Sequence, residues 1–457
     1  MPSPSDTPRC SFCERPARET DSLVAGPDVY ICDRCISDAA GIVSGEREQE
    51  RAAARRLDGP LPAPHRLKER LDEHVVGQER AKKILSVAVY NHRKRVRAAA
   101  EETEQGAHAQ RAAAEGDLRD VTLEKANVLL LGPTGTGKTL LARTLARLLD
   151  VPFCIADATT LTEAGYVGED VESILSQLLH AADFDTDRAE RGIVYLDEVD
   201  KLARRRAGAS LTRDVSGQGV QQALLKLLEG TIAGVPPEGG RKHPEQPLVQ
   251  VDTTGILFIC GGAFDGLEEV VERRLSRQAE VGFRATPHAG ERAEAGGNSA
   301  AGGEEGRDLL FEATPEDLLD YGFIPELVGR LPVIGPLEAL SKQALRRILT
   351  EPRDALVKQY RKRFALDGFE LVFDEAALEA VVERAQALDT GARGLKAVLE
   401  EVMLDVTFEL HRQSSKPARC RITRGVVEGE GAPVYEPLAE PGEPTGDPAH
   451  RPWARRA

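Results

Sequence analysis

Residues Asn127 to Leu149 read NVLLLGPTGTGKTLLARTLARLL, and the fold follows from how this stretch parses. Val128 to Leu131 form a short continuous apolar run, the mark of a strand buried on both faces. Next come Gly132, Pro133, Thr134, Gly135, Thr136, Gly137, Lys138 and Thr139, which satisfy every fixed position of the phosphate-loop pattern G-x-x-x-x-G-K-[ST]. Leu141, Leu145 and Leu148 recur at helical spacing, so a helix opens at the loop. Strand, glycine loop and helix are the context this pattern needs. The glycines let backbone N–H groups approach phosphate oxygens, and the helix N-terminus adds partial positive charge. Lys138 is placed to reach the β- and γ-phosphates and the Thr139 hydroxyl to ligate Mg²⁺. The expected nucleotide-binding set runs from Gly132 through Leu140.

A second stretch, RGIVYLDEVD from Arg191 to Asp200, supplies the complementary acids. Ile193 to Leu196 are another buried-strand run, ending in Asp197 and Glu198. A carboxylate at the end of a strand beside the phosphate loop holds Mg²⁺, a role that falls to Asp197. Glu198 is placed to polarise an attacking water as a general base. ATP hydrolysis is the expected core activity.

The chain has 457 residues, enough for several domains, and 41% hydrophobic residues provide material for sizeable cores. Aromatics make up only 4%, which suits aliphatic α/β packing. A formal charge of −15 is a poor match for nucleic-acid phosphates or an anionic membrane, so neither is an expected partner. The N-terminus has no apolar signal region, and no run approaches the length of a membrane span. There are seven cysteines, an odd number, which reads as a reduced cytoplasmic protein.

Cys10, Cys13, Cys32 and Cys35 form two C-x2-C knuckles at structural-zinc spacing. Four thiolates leave no open coordination position, so the Zn²⁺ belongs to folding and not to catalysis. A unit this small needs such a metal in place of a large core. Its mixed acidic and basic residues favour a protein-binding or dimerising module.

Composition divides the chain into a zinc module (1–48), a charged and Pro-rich linker (49–64), a large α/β domain (65–335), a small α-rich domain (336–430) and a Pro/Glu/Gly-rich tail (431–457) expected to be disordered. The low-complexity stretch 286–307 carries the same expectation. Gly165-Tyr166-Val167-Gly168 presents an aromatic and a branched residue between glycines. Arg241-Lys242-His243 sits in a Gly/Pro-rich loop. Val281-Gly282-Phe283 places two apolar residues at the edge of a flexible segment, which suggests a docking contact.

These motifs, in this order and spacing, resemble the ClpX family of AAA+ protein unfoldases from Cys10 to about residue 425. The resemblance rests on the paired knuckles, GPTGTGKT, LDE, GYVG, TRDVSGQGVQQALLKLLEG, GGRKHP, FIPELVGRLP and GARG. It implies an AAA+ core with a parallel sheet, a small α-rich lid domain and a zinc-binding module. It also implies a homohexamer that threads tagged or unfolded proteins, some brought by adaptors, through an axial pore into a ClpP-type peptidase. By the same resemblance Tyr166 and Val167 are the pore grip, and Arg241, Lys242 and His243 select tagged substrates. The basic loop from Arg204 to Arg213 is a second pore loop, and Val281, Gly282 and Phe283 dock the peptidase. Val76, Gly77 and Gln78 pack around adenine, Arg330 is an arginine finger for a neighbour's ATP, and Arg393 is the sensor arginine of the small domain. The expected ligands are ATP, Mg²⁺ and Zn²⁺. After the strand Ile256–Cys260 the chain offers Gly261-Gly262, so no polar sensor residue is assigned there. A protein-remodelling chaperone working without a peptidase is the alternative reading.

Overall fold

The computed structural model describes residues 8–20, 22–26, 29–36, 62–103, 121, 123–162, 169–203, 215–236, 248–283, 309–413 and 418–437. The chain divides into two compact units, Met1–Leu61 and Pro62–Ala457.

The second unit is built on five parallel strands: β1 (Val128–Leu131), β2 (Phe153–Asp157), β3 (Ile193–Asp197), β4 (Leu257–Gly262) and β5 (Val333–Pro336), in the order β5-β1-β4-β3-β2. The continuous apolar runs of the sequence are explained by a sheet covered on both faces. Alternate residues enter different cores. Val128, Leu130, Ile193, Tyr195, Leu257 and Ile259 pack with Leu141, Leu145, Leu85 and Val89. Those last four come from helices α1 (Glu79–Thr103) and α2 (Lys138–Leu149). Leu129, Leu131, Val194, Leu196, Phe258 and Cys260 face the other way, against the helices Ser173–Ala181 and Val215–Glu229.

Three basic side chains fasten α1 and the segment before β1 to the turn Thr253–Gly255, which leads into β4. His92 Nε2 donates to Gly255 O at 3.0 Å, Arg95 Nη2 to Thr254 O at 2.6 Å, and Lys125 Nζ to Thr253 O at 2.7 Å. Burial lowers the His92 pKa to about 3, and the charges of Arg95 and Lys125 add to the effect.

A separate core gathers the helices Lys342–Thr350, Leu356–Leu366, Glu375–Ala387 and α3 (Ala392–Gln413) with the strands β6 (Glu370–Phe373), β7 (Ala418–Ile422) and β8 (Val434–Pro437). β7 lies between the other two, parallel to β6 and antiparallel to β8.

Two expectations are corrected here. Order runs past residue 431, because β8 completes the edge of β7 and Tyr435 packs on the small core. Val281, Gly282 and Phe283 are the last residues of the helix Leu267–Phe283 and not part of a loop. In the helix Val215–Glu229 the apolar pattern begins only at Val220, five residues after the helix starts.

In the first unit the strands Leu23–Gly26 and Val29–Cys32 form a hairpin. No helix among the described residues is long and apolar enough to cross a membrane.

Candidate functional site

The phosphate loop leaves β1 at Gly132 and enters α2 at Lys138. Gly132, Gly135 and Gly137 all have positive φ, at 149°, 81° and 102°. Lys138 is only 8% exposed, and its ammonium donates to the carbonyls of Gly132 and Pro133 inside the loop. Burial lowers the Lys138 pKa, the charges of Asp197 and Asp200 oppose this, and the Arg393 charge adds to the lowering. Arg393, in the first turn of α3, is therefore within electrostatic reach of Lys138. Thr136 turns its hydroxyl back to Pro133 O at 2.8 Å; Thr134 lies within the loop and Leu140 in the first turn of α2. Leu140 is half exposed, at 49%.

The acids meet the loop from the end of β3, separated from β1 by the single strand β4. Thr139 Oγ1 donates to Asp197 Oδ2 at 3.2 Å. A hydroxyl and a carboxylate so placed fit a divalent cation bridging nucleotide phosphates. Asp197 Oδ1 accepts the Glu198 N–H at 3.0 Å and the Tyr195 hydroxyl at 3.3 Å. Burial, and then the Asp197 charge, push the Tyr195 phenol well above its usual pKa. Glu198 itself is exposed and sits in the left-handed region at φ 56°. Such a conformation costs on the order of 1–3 kcal/mol in a non-glycine residue, a strain that clusters at functional positions.

Val76, Gly77 and Gln78 join the helix Pro64–Asp72 to α1. Gln78 is 4% exposed and clamps a segment 260 residues away. Its Nε2 donates to Glu338 O, and its Oε1 accepts the Glu338 N–H, both at 2.9 Å. That segment connects β5 to the small core, so the clamp fixes where the small lobe begins. A second junction lies on the loop itself. The Ala392 N–H donates to Gly135 O at 3.2 Å. A Cβ built on Gly135 would lie 2.3 Å from Thr390 O, so only glycine lets the two lobes approach this closely. The sequence missed this junction, since residues 135 and 390 are distant in the chain.

Arg330 is not at this site. It caps the short helix Pro325–Gly329 and pairs with Glu229, Nε to Oε1 at 3.0 Å. Its carbonyl accepts from Asn127 Nδ2 at 2.9 Å. Asn127 precedes β1 and the phosphate loop follows it, so about four strand residues, or ~13 Å, separate the two ends. Tyr166, Val167, the Arg204–Arg213 loop, Arg241, Lys242, His243 and the 286–307 stretch lie outside the described residues.

In the zinc unit the Sγ atoms of Cys10, Cys13, Cys32 and Cys35 all lie within 4.8 Å of one another. Cys13 and Cys32 are 3.6 Å apart. Four sulfurs at ~2.3 Å from one zinc ion stand ~3.8 Å apart at the corners of a tetrahedron, so the set fits Zn²⁺. Cys32 N–H donates to Cys10 Sγ at 3.3 Å, the kind of contact that favours a thiolate. Phe12, Val24, Val29, Tyr30 and Ile36 are exposed on this small unit.

Comparison with known proteins agrees with this layout. Residues 8–45 match the ClpX C4-type zinc finger, residues 123–334 the AAA domain (Cdc48 subfamily), and residues 340–420 the C-terminal, D2-small domain of ClpB protein. The chain is 47% identical over 412 residues to the ATP-dependent Clp protease ATP-binding subunit ClpX of Bacteroides thetaiotaomicron, an overlap covering 89% of this chain and 92% of that protein. With the phosphate loop and its acids assembled, the four cysteines converged and this identity along nearly the whole length, the chain belongs to the ClpX family of AAA+ ATPases.

Proposed function

We propose that this ATPase works as a homohexameric protein unfoldase that threads tagged proteins through an axial pore and delivers them to a ClpP-type peptidase. The observation that carries the reading is the meeting of both lobes at one phosphate loop, where the Ala392 N–H donates to Gly135 O and Thr390 packs against Gly135. A change in the phosphate at that loop acts on both lobes together, so hydrolysis converts to a change of angle between them.

Asp197 and Thr139 would hold Mg²⁺, which when bound neutralises charge on the phosphates. Glu198 orients and deprotonates the attacking water, and Lys138 and Arg393 bind the phosphates. Arg330 is anchored at the far end of β1 from its own phosphate loop. That placement supports service to a neighbour's ATP, and a ring follows from such mutual completion. A finger given in trans is worth roughly 10³–10⁵ in rate in well-studied NTPases. Tyr166 and Val167 grip the substrate, Arg241, Lys242 and His243 select it, and Val281, Gly282 and Phe283 meet the peptidase. The exposed apolar residues of the zinc unit suit contacts with adaptors, substrates or a second zinc unit.

The test is ATP-dependent loss of fluorescence from a stably folded fluorescent protein bearing a C-terminal unfolding tag, with and without a ClpP peptidase. Wild type should unfold it and Glu198→Gln should not. Robust ATP hydrolysis without unfolding of any tagged substrate refutes the proposal. Unfolding with no ATP-dependent stimulation of the peptidase would leave a remodelling chaperone.

A further inference from the structure

β4 lies between β1 and β3, and its end at Gly261-Gly262 borders the nucleotide site without offering a side chain. The structure shows what fills the place. A Cβ built on Gly261 would stand 2.1 Å from the Tyr195 hydroxyl oxygen and 2.8 Å from its ring carbon. Tyr195 is paired in register with Ile259, so its side chain shares a sheet face with Ile259 and Gly261, and with Asp197 two residues further along β3. The ring is fully buried at 0% exposure, yet its hydroxyl reaches Asp197 Oδ1 at 3.3 Å. Gly261 is thus glycine because the tyrosine of the adjacent strand occupies its side-chain space.

We infer that Tyr195 is a positioning residue for the metal-binding carboxylate, and that its hydroxyl supplies from β3 the polar contact that β4 cannot make. The inference rests on reading Asp197 and Thr139 as the Mg²⁺ ligands. Asp197 has two oxygens, and the structure distinguishes them. Oδ1 is held by two donors, the Tyr195 hydroxyl and the Glu198 N–H, while Oδ2 faces Thr139. A carboxylate pinned at one oxygen cannot turn about its final torsion, so the other is kept aimed at the cation. The shared Oδ1 also ties the carboxylate to the strained backbone of Glu198. Removing the hydroxyl leaves the Glu198 N–H as the one restraint on Oδ1, and losing such an outer partner typically costs 10–100-fold in metal affinity.

Tyr195→Phe keeps the ring and its packing and removes only the hydroxyl. The zinc-loaded full chain is saturated with ADP, and Mn²⁺ binding is followed by electron paramagnetic resonance. The variant should bind Mn²⁺ about 10–100-fold more weakly, with ADP affinity in EDTA unchanged. Equal weakening of ADP binding in EDTA and of metal binding would mark a general disturbance of the site, and that result overturns the inference. Asp197→Asn, measured beside it, separates the two layers. Loss of Mn²⁺ in Asp197→Asn with wild-type affinity in Tyr195→Phe overturns the tyrosine's role alone. Wild-type Mn²⁺ affinity in both variants overturns the ligand reading and the inference with it. Should Tyr195→Phe fail to fold, 3-fluorotyrosine at position 195 keeps the hydroxyl. Its ¹⁹F resonance should shift when Mg²⁺ is added to the ADP-loaded protein, and a fixed resonance counts against the inference.

Discussion

Mild acid should loosen the large lobe through His92, by an amount the structure sets. The imidazole is 8% exposed, its Nε2 is committed to Gly255 O, and its Nδ1 has no hydrogen-bond partner among the described residues. A proton added at Nδ1 would place charge in a buried pocket already holding Arg95 and Lys125. The pKa therefore falls from 6.5 in the unfolded chain to about 3 when folded. Between those values the unfolded state binds more protons, so stability is whole above pH 6.5 and is lost as pH falls toward 3. Each pH unit in that window is worth about 1.4 kcal/mol, so the loss from this one group is about 2 kcal/mol at pH 5. Against a typical domain stability of about 5–15 kcal/mol this is large. The assay is urea unfolding by circular dichroism at pH 7.5 and pH 5.0, for wild type and for His92→Gln. Glutamine can still donate to Gly255 O and does not titrate. Carboxylates and the zinc site respond alike in both proteins and cancel in the difference. Wild type should lose about 2 kcal/mol more than the variant on acidification. Equal losses would refute the reasoning.

The other predictions concern the junctions. Gly135→Ala places a methyl 2.3 Å from Thr390 O at a φ of 81°, so nucleotide affinity should fall at least tenfold, read with a fluorescent ADP analogue; wild-type affinity would mean the lobes do not meet there. Gln78→Ala removes both bonds to the Glu338 backbone and should cost about 1–3 kcal/mol in thermal or urea unfolding of the nucleotide-free protein. Cys32→Ser should abolish stoichiometric zinc by metal analysis and unfold the first unit, while the second keeps its nucleotide affinity, since the two are compact separately. Retained zinc would exclude Cys32 as a ligand.

How much of this was legible in the sequence depended on how local the determinant was. The phosphate loop, the Asp197-Glu198 pair and the four cysteines are contiguous or nearly so, and their chemistry dictates residue type at fixed spacing. The strands of the central sheet were legible because burial on both faces leaves unbroken apolar runs. Pairings across the chain were not. Nothing near Gln78 points to Glu338, nothing near Gly135 points to Thr390, and Gly261 gains meaning only when β4 is laid beside β3. β8 was hidden because its few strand residues sit in a Pro- and Gly-rich stretch, where an edge strand borrows its order from the partner. The first turns of the helix Val215–Glu229 were hidden because Ser216, Gly217, Gln218 and Gly219 carry no apolar period.

The bond from Ala392 to Gly135 makes the first turn of α3 a fulcrum. The helix has 22 residues, so at 1.5 Å each its far end stands about 33 Å away. A tilt of ~10° about the phosphate loop would carry that end some ~6 Å, well beyond the ~3.3 Å advance of one extended residue. Displacement at the nucleotide can therefore stay within an ångström or two while the distal end of the lever travels a distance of nearly two residues of extended polypeptide. Shaft length, fixed by the run from Ala392 to Gln413, sets this gearing: a helix one turn shorter would deliver a proportionally smaller stroke at the same tilt.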